Sequence, residues 1–112
     1  MINSYRFGKI VIDGKTYTSD VIVYPDRVDS SWWRKVGHEL NICDIEEIVK
    51  EAPEVLIVGC GNPGLMKVLE ETRDFIESRG IKLISESTEE ACKIYNRLYP
   101  TKKVVAALHL TC

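Results

Sequence analysis

From residue 43 onward the hydrophobic pattern switches repeatedly between a helical period and an unbroken apolar run. No other feature restricts the fold as much. Residues 43–51 (CDIEEIVKE) carry apolar side chains at 45, 48 and 49, one face of a helix, with Asp44 near its start and a Glu46–Lys50 pair outside. Pro53 closes that segment, and EVLIVG (54–59) follows without alternation, the pattern of a strand covered on both faces. In 64–80 (GLMKVLEETRDFIESRG) Leu65, Val68, Leu69, Thr72, Phe75 and Ile76 form one stripe, ending at the C-cap residue Gly80. IKLIS (81–85) reads as a strand. STEEACKIYNRLY (87–99) opens on a Ser87-x-x-Glu90 capping box and places Ala91, Ile94, Tyr95 and Leu98 on one face. Pro100 stops it, and KVVAALHL (103–110) is a last strand. Parallel strands joined by helices need right-handed crossovers, which leave helices on both faces of the sheet. The expected fold is therefore α/β, a three-layer sandwich with a mixed sheet.

The first 42 residues have a different character. RFGKIVI (6–12) and TYTSDVIVY (16–24) are rich in β-branched and aromatic residues, and Asp13-Gly14 between them is a hairpin signal. Pro25 ends the second strand, since it has no N–H for a ladder. A short strand is expected over Val28–Trp33, then a polar loop. The hairpin is expected to extend the central sheet or cover one end. With 112 residues the chain forms a single domain, residues 1–112.

A charged fraction of 29% and a formal charge of −2 give no electrostatic reason to expect nucleic acid or an anionic membrane as partner. No apolar run approaches the ~18 residues of a membrane span. The start, MINSYRFGKIV, lacks the apolar core of a signal peptide, so a soluble, cytoplasmic protein is expected. Cys43, Cys60, Cys92 and Cys112 have no metal-ligand spacing. Free thiols, no metal and no cofactor are expected, with Cys43 and Cys92 packing as small hydrophobes on helices.

Residues 55–64, VLIVGCGNPG, contain G-x-G-x-x-G directly after a strand, with Glu86 placed to meet a ribose. In a dinucleotide site such glycines let a phosphate reach helix N–H groups. Three features oppose that use. The chain has no room for a second mononucleotide half, the glycine strand does not begin the fold, and Pro63 removes a donor. The loop therefore reads as a strand-to-helix turn, with Gly59 and Gly61 as wall residues of a pocket and Gly64 beside Pro63 at a helix start. A small anion at the start of a 64–79 helix is the remaining ligand alternative.

Other candidates converge on the same edge. If the 54–59 and 103–110 strands are parallel, His109, Thr111 and Cys112 share the carboxyl-end rim with Gly59, Gly61 and Asn62, where α/β ligands bind. Arg34 and His38 are possible contributors. In SSWWRK the adjacent Trp32 and Trp33 are expected to face opposite ways, one in the core and the other at a protein interface, or else both covering the sheet edge. Two functions follow. A binding or assembly module, with a protein partner or a second copy, expects an exposed apolar patch near Trp32 or Trp33. A small-molecule site, enzymatic or not, expects a concave pocket joining Gly59–Asn62 to His109. Redox sensing by Cys60 or Cys112 is a third option.

SWWR, LIVGCG, ACKIYNRL and the ending VAALHLTC together resemble the small Mth938-type family, in order and along essentially the whole chain. The ending is similar to that of its adipogenesis-associated cytosolic branch. A mitochondrial complex I assembly factor branch is more distant. The resemblance implies a three-layer α/β sandwich and no known reaction. It also implies that Gly59 and Gly61 are the kept glycines and that Gly64 is incidental.

Overall fold

A computed structural model describes residues 1–112. In chain order the strands and helices are β1 (Ile2–Arg6), β2 (Lys9–Ile12), β3 (Lys15–Tyr17), β4 (Val21–Val23), β5 (Val28–Asp29), β6 (Glu39–Leu40), a 3-10 turn (Ile42–Asp44), α1 (Glu46–Lys50), β7 (Val55–Gly59), β8 (Lys67–Val68), α2 (Glu70–Ser78), β9 (Lys82–Glu86), α3 (Thr88–Leu98) and β10 (Val104–Leu108). The central sheet has the order β5-β4-β10-β7-β9. β10, β7 and β9 run parallel, and β4 and β5 are antiparallel additions.

Both faces of this sheet are buried, which explains the unbroken apolar runs. Side chains alternate along each strand between two cores. Leu56, Val58, Val105 and Ala107 pack on Ile45, Ile48 and Ile76 from the α1–α2 side. Val55, Ile57, Val104, Ala106 and Leu108 pack on Ala91, Cys92 and Tyr95 of α3 and on Ile2, Ile10 and Ile12. Each fully buried aliphatic side chain contributes roughly 1.5–3 kcal/mol. The three layers are thus α1 and α2, the mixed sheet, and α3 beside a second small sheet. Ser87 caps α3 as expected, its hydroxyl accepting from the Glu90 amide.

Several boundaries differ from the sequence expectation. Residues 6–12 break at Phe7–Gly8, where Gly8 takes φ +79 and closes a β1–β2 hairpin. The Asp13-Gly14 turn then joins β2 to β3 as expected. Residues 16–24 also break, at 18–20, so that β3 belongs to the small sheet and β4 to the central one. The small sheet, order β1-β2-β3, therefore covers a face and does not extend the central sheet. The strand expected over Val28–Trp33 stops at Asp29, whose carboxylate accepts from the Ser31 amide and hydroxyl and turns the chain. The helix expected over 43–51 starts with a 3-10 turn, and Cys43 is exposed. Cys92 does pack in the core.

The largest difference is the helix expected from Gly64. α2 begins at Glu70. Gly64 has φ +120, and Lys67–Val68 pair in parallel with β6. The amides of Leu65, Met66 and Lys67 bond to Cys112 O, Cys60 O and His38 O, so the loop ladder wins over the helical period.

Candidate functional site

Register sets the site. Leu108 is level with Gly59 in β7, and Gly59 with Glu86 in β9, so three parallel strands end on one line. His109 follows at once, and its amide donates to Gly59 O at 3.0 Å. Continuing the alternation of β10, its ring falls on the α1–α2 side of the sheet, where it is only 6% exposed.

There it meets Asp20 and Arg34. His109 Nδ1 lies 2.8 Å from Asp20 Oδ2. Arg34 Nη1 donates to the same oxygen at 2.7 Å. The Leu110 amide donates to Asp20 Oδ1 at 2.8 Å. Arg34 also donates through Nε and Nη2 to Gly37 O, and its Nη2 is 2.9 Å from His109 Nδ1. Its guanidinium stacks over the Trp32 ring at 4.8 Å, and Trp32 is fixed by its indole N–H donating to Asp44 O. Burial pushes the Asp20 carboxyl upward, but hydrogen bonds from His109, the Leu110 amide and Arg34 outweigh it and bring the pKa to about 2. Asp20 is therefore an anion at neutral pH.

The glycine loop is a clasp for this cluster. Its backbone donors are spent inside the protein: Cys60 N to Glu86 O, Gly61 N to Thr88 Oγ1, and Asn62 N to Thr111 O. Thr88 Oγ1 in turn donates to His109 O at 2.5 Å. A Cβ on Gly61 would run into Thr111 O and stand 2.9 Å from His109 Cδ2, and the residue has φ +99. A Cβ on Gly59 would stand 2.9 Å from Leu108 Cδ2 and from Thr88 Oγ1. Both glycines are thus needed for close approach to β10 and α3. With these amides occupied and α2 starting at Glu70, the helix-start anion cradle expected near Gly64 is not formed.

The sequence reading brought Gly59, Gly61, Asn62, His109 and Cys112 together on one rim, and they do meet there. Arg34 joins them, and His38 packs edge-on against His109 with ring centroids 6.1 Å apart. Asp20 was missed. It lies inside a stretch read as one strand, although Ser-Asp within a β-branched run is itself a break signal. The expected pocket is absent. The two clefts lie elsewhere, about 320 Å³ beside Tyr24, Arg27, Tyr95 and Tyr99, and about 290 Å³ between β1 and α3. Nor does a hydroxyl or thiol reach His109 Nε2. That atom and Asn41 Nδ2 are the two buried side-chain polar atoms without a hydrogen-bond partner.

Trp32 and Trp33 separate as expected, though in a loop: Trp32 is buried and Trp33 is 79% exposed. Phe7, Val36 and Leu65 are also exposed. Each adjoins a group tied to the rim. Gly8 N bonds to Leu110 O, Gly37 O accepts from Arg34, and Leu65 N bonds to Cys112 O. Burial, with the nearby Glu86 charge, pushes the Cys60 thiol up, and burial pushes Cys92 up to about 12, so both resist ionisation.

Fold and site define a small α/β sandwich whose strand ends enclose a carboxylate–imidazole–guanidinium cluster. The chain belongs to the Mth938-type family: the family model described as protein of unknown function (DUF498/DUF598) matches residues 2–109. The conserved hypothetical protein PH1505 from Pyrococcus horikoshii OT3 is 30% identical, with TM-score 0.86, over 100% of this chain and 99% of that one. The solved structure named MT938 is 27% identical, with TM-score 0.83, over 100% and 98%. A Bartonella henselae protein described as an outer membrane protein shares the fold at TM-score 0.84, with 24% identity over 99% and 94%. In the present chain no helix is long and apolar enough to cross a membrane.

Proposed function

We propose that the protein is a non-enzymatic binding or assembly module, cytoplasmic, that docks a partner protein on the carboxyl-end rim through Trp33. The exposure of Trp33 carries this reading. Its neighbours Trp32 and Arg34 are buried and hydrogen-bonded, so the indole is presented from a fixed backbone and loses little entropy on docking. Trp, with Tyr and Arg, is enriched among interface hot spots. The carboxylate–imidazole pair has no nucleophile on Nε2, and the rim has no cavity to hold a substrate, which favours docking over catalysis.

The test compares tagged wild-type chain with Trp33→Ser in the native host, using cross-linking and quantitative mass spectrometry, with light scattering for self-association. A single partner, or the homodimer, should fall about 30-fold in the variant, the effect of losing a ~2 kcal/mol hot spot. Equal recovery of every protein by both chains, with both monomeric, would sink the proposal. Small-molecule binding at the rim is the second reading, supported by the buried His109 Nε2, which has no hydrogen-bond partner. A compound co-purifying with the native protein would move the balance to it.

A further inference from the structure

At the amino end of the parallel strands a cleft of about 320 Å³ opens between the β4–β5 turn and the end of α3. Tyr95 stands in its wall and is only 4% exposed. Tyr5 spends its hydroxyl on Leu110 O, but the Tyr95 hydroxyl has no such acceptor inside the protein. Nor is it sealed from solvent, since the sealed side-chain atoms without a partner are Asn41 Nδ2 and His109 Nε2. The little surface that Tyr95 keeps therefore includes its hydroxyl. The groups that act on this hydroxyl, Asp13 and Tyr99, both line the cleft, so the hydroxyl faces it. Burial, with Asp13 and Tyr99 acting in the same direction, pushes the Tyr95 pKa above the usual phenol value. The group is thus a neutral O–H donor at neutral pH. A nearly buried donor with no protein acceptor is one that a ligand can satisfy.

The rest of the cleft defines what could reach it. Tyr99 stacks on Tyr95, with ring centroids 5.3 Å apart and planes 7° from parallel, and is itself 40% exposed. Pro25 and Val28 add apolar wall. Aromatic and apolar walls favour a flat ring. The charges at the mouth are already paired, Arg27 with Asp26 and Glu51, and the Met1 amine with Asp13. A charged ligand would have to break one of these pairs, and a neutral one would not. The volume falls at the small end of ligand sites, enough for a fused bicycle. We propose that this cleft binds a neutral, flat heteroaromatic compound, whose ring nitrogen or carbonyl accepts a hydrogen bond from the Tyr95 hydroxyl. The site lies at the opposite end of the strands from the docking rim and does not depend on the function proposed there.

Quinoxaline serves as the probe, a fused bicycle with acceptor nitrogens, and naphthalene as the isostere with none. Spectra of the full-length protein carrying ¹³C-labelled tyrosine follow the Tyr95 and Tyr99 ring signals. Quinoxaline should move both and saturate. Tyr95→Phe removes an oxygen that bonds nothing in the free protein, so its urea midpoint should hold. In that variant quinoxaline binding, read on Tyr99, should weaken about fivefold, the effect of one hydrogen bond. Naphthalene should bind both chains alike. The proposal is overturned if quinoxaline leaves the Tyr99 signal unmoved, or binds the two chains equally. A fall in the urea midpoint of Tyr95→Phe overturns it too, because the hydroxyl would then be bonded within the protein. Trp33→Ser should bind quinoxaline as the wild type does. Failure at the cleft would therefore leave the docking face standing, and failure of docking would leave the cleft.

Discussion

The two ends of the parallel strands differ in an instructive way. The amino end has the larger cleft, about 320 Å³, floored by Tyr24, Tyr95 and Tyr99. Its charges already answer one another. Arg27 stacks on Tyr24 at 4.0 Å and donates to Asp26 and Glu51, and Asp13 pairs with the Met1 amine. The carboxyl end has no cleft, but it holds the buried triad, an imidazole nitrogen without a hydrogen-bond partner and the exposed Trp33. Empty volume and the buried charged cluster have parted company in this molecule. The largest pocket is the usual default for a site. Here the unpaired donors, acceptors and apolar groups are the better guide, because they are what a ligand can still improve.

The sharpest way to break this contrast is to remove one carboxylate from each end. Asp20→Ala strands a guanidinium whose side chain is only 6% exposed, and also frees the Leu110 amide. We expect a loss of about 3–5 kcal/mol in urea unfolding. Asp26→Ala removes a partner that is 76% exposed, and should cost under about 1 kcal/mol. Equal costs would mean that the carboxyl-end triad is no more integral than a surface pair. Gly61→Ala comes next, at about 2–4 kcal/mol, since it adds a collision with Thr111 O to a positive φ. Gly64→Ala shares the positive φ, but its nearest atom is 3.9 Å away, so about 1–2 kcal/mol is expected. A Gly64 variant as damaged as the Gly61 one would remove the clasp from the account.

Acid should expose the same asymmetry with a smaller effect. The folded pKa of Asp20 is depressed from 3.8 to about 2. A depressed carboxyl contributes stability above its unfolded pKa and loses it as pH falls through the folded one. Roughly 2 kcal/mol should therefore vanish between about pH 4 and pH 2. Urea midpoints at pH 5, 3 and 2 measure it, and Asp20→Asn should flatten that part of the curve. An unchanged slope in the variant would assign the acid loss to other carboxylates.

How far the sequence revealed all this depends on which physical signal each residue leaves. Val55–Gly59 and Val104–Leu108 were legible because burial on both faces forces unbroken apolar runs. The rim was legible because the carboxyl ends of neighbouring parallel strands share one edge of the sheet, which puts His109 beside Gly59. The start of α2 was not. Leu65 and Val68 fit a helical stripe, but their segment is stitched to Cys112, Cys60 and His38 by backbone bonds that leave no trace in periodicity. Asp20 was hidden because its partners lie 14 and 89 positions away. A single sequence without those contacts offers only a carboxylate at a strand break. The pocket expected beside His109 failed for a related reason. A glycine pair reads the same whether the space above it admits a ligand or, as here, the chain's own Thr111.

Trp33→Ser should have the smallest effect on stability and therefore isolates function most cleanly. Trp33 is 79% exposed, and surface changes away from caps and networks usually stay within about 0.5 kcal/mol. Its neighbour gives the opposite expectation. Trp32→Ala removes the ring beneath Arg34 and the donor to Asp44 O, and should cost about 3–5 kcal/mol. Adjacent, chemically identical residues would then differ several-fold in stability cost while only the cheaper one governs partner recovery. Urea unfolding of both variants, set beside the cross-linking yield of Trp33→Ser, measures the two quantities separately. If Trp33→Ser unfolds as readily as Trp32→Ala, the exposed indole is a structural element. The carboxyl-end rim would then lose the feature that distinguishes it from the charge-balanced cleft at the other end.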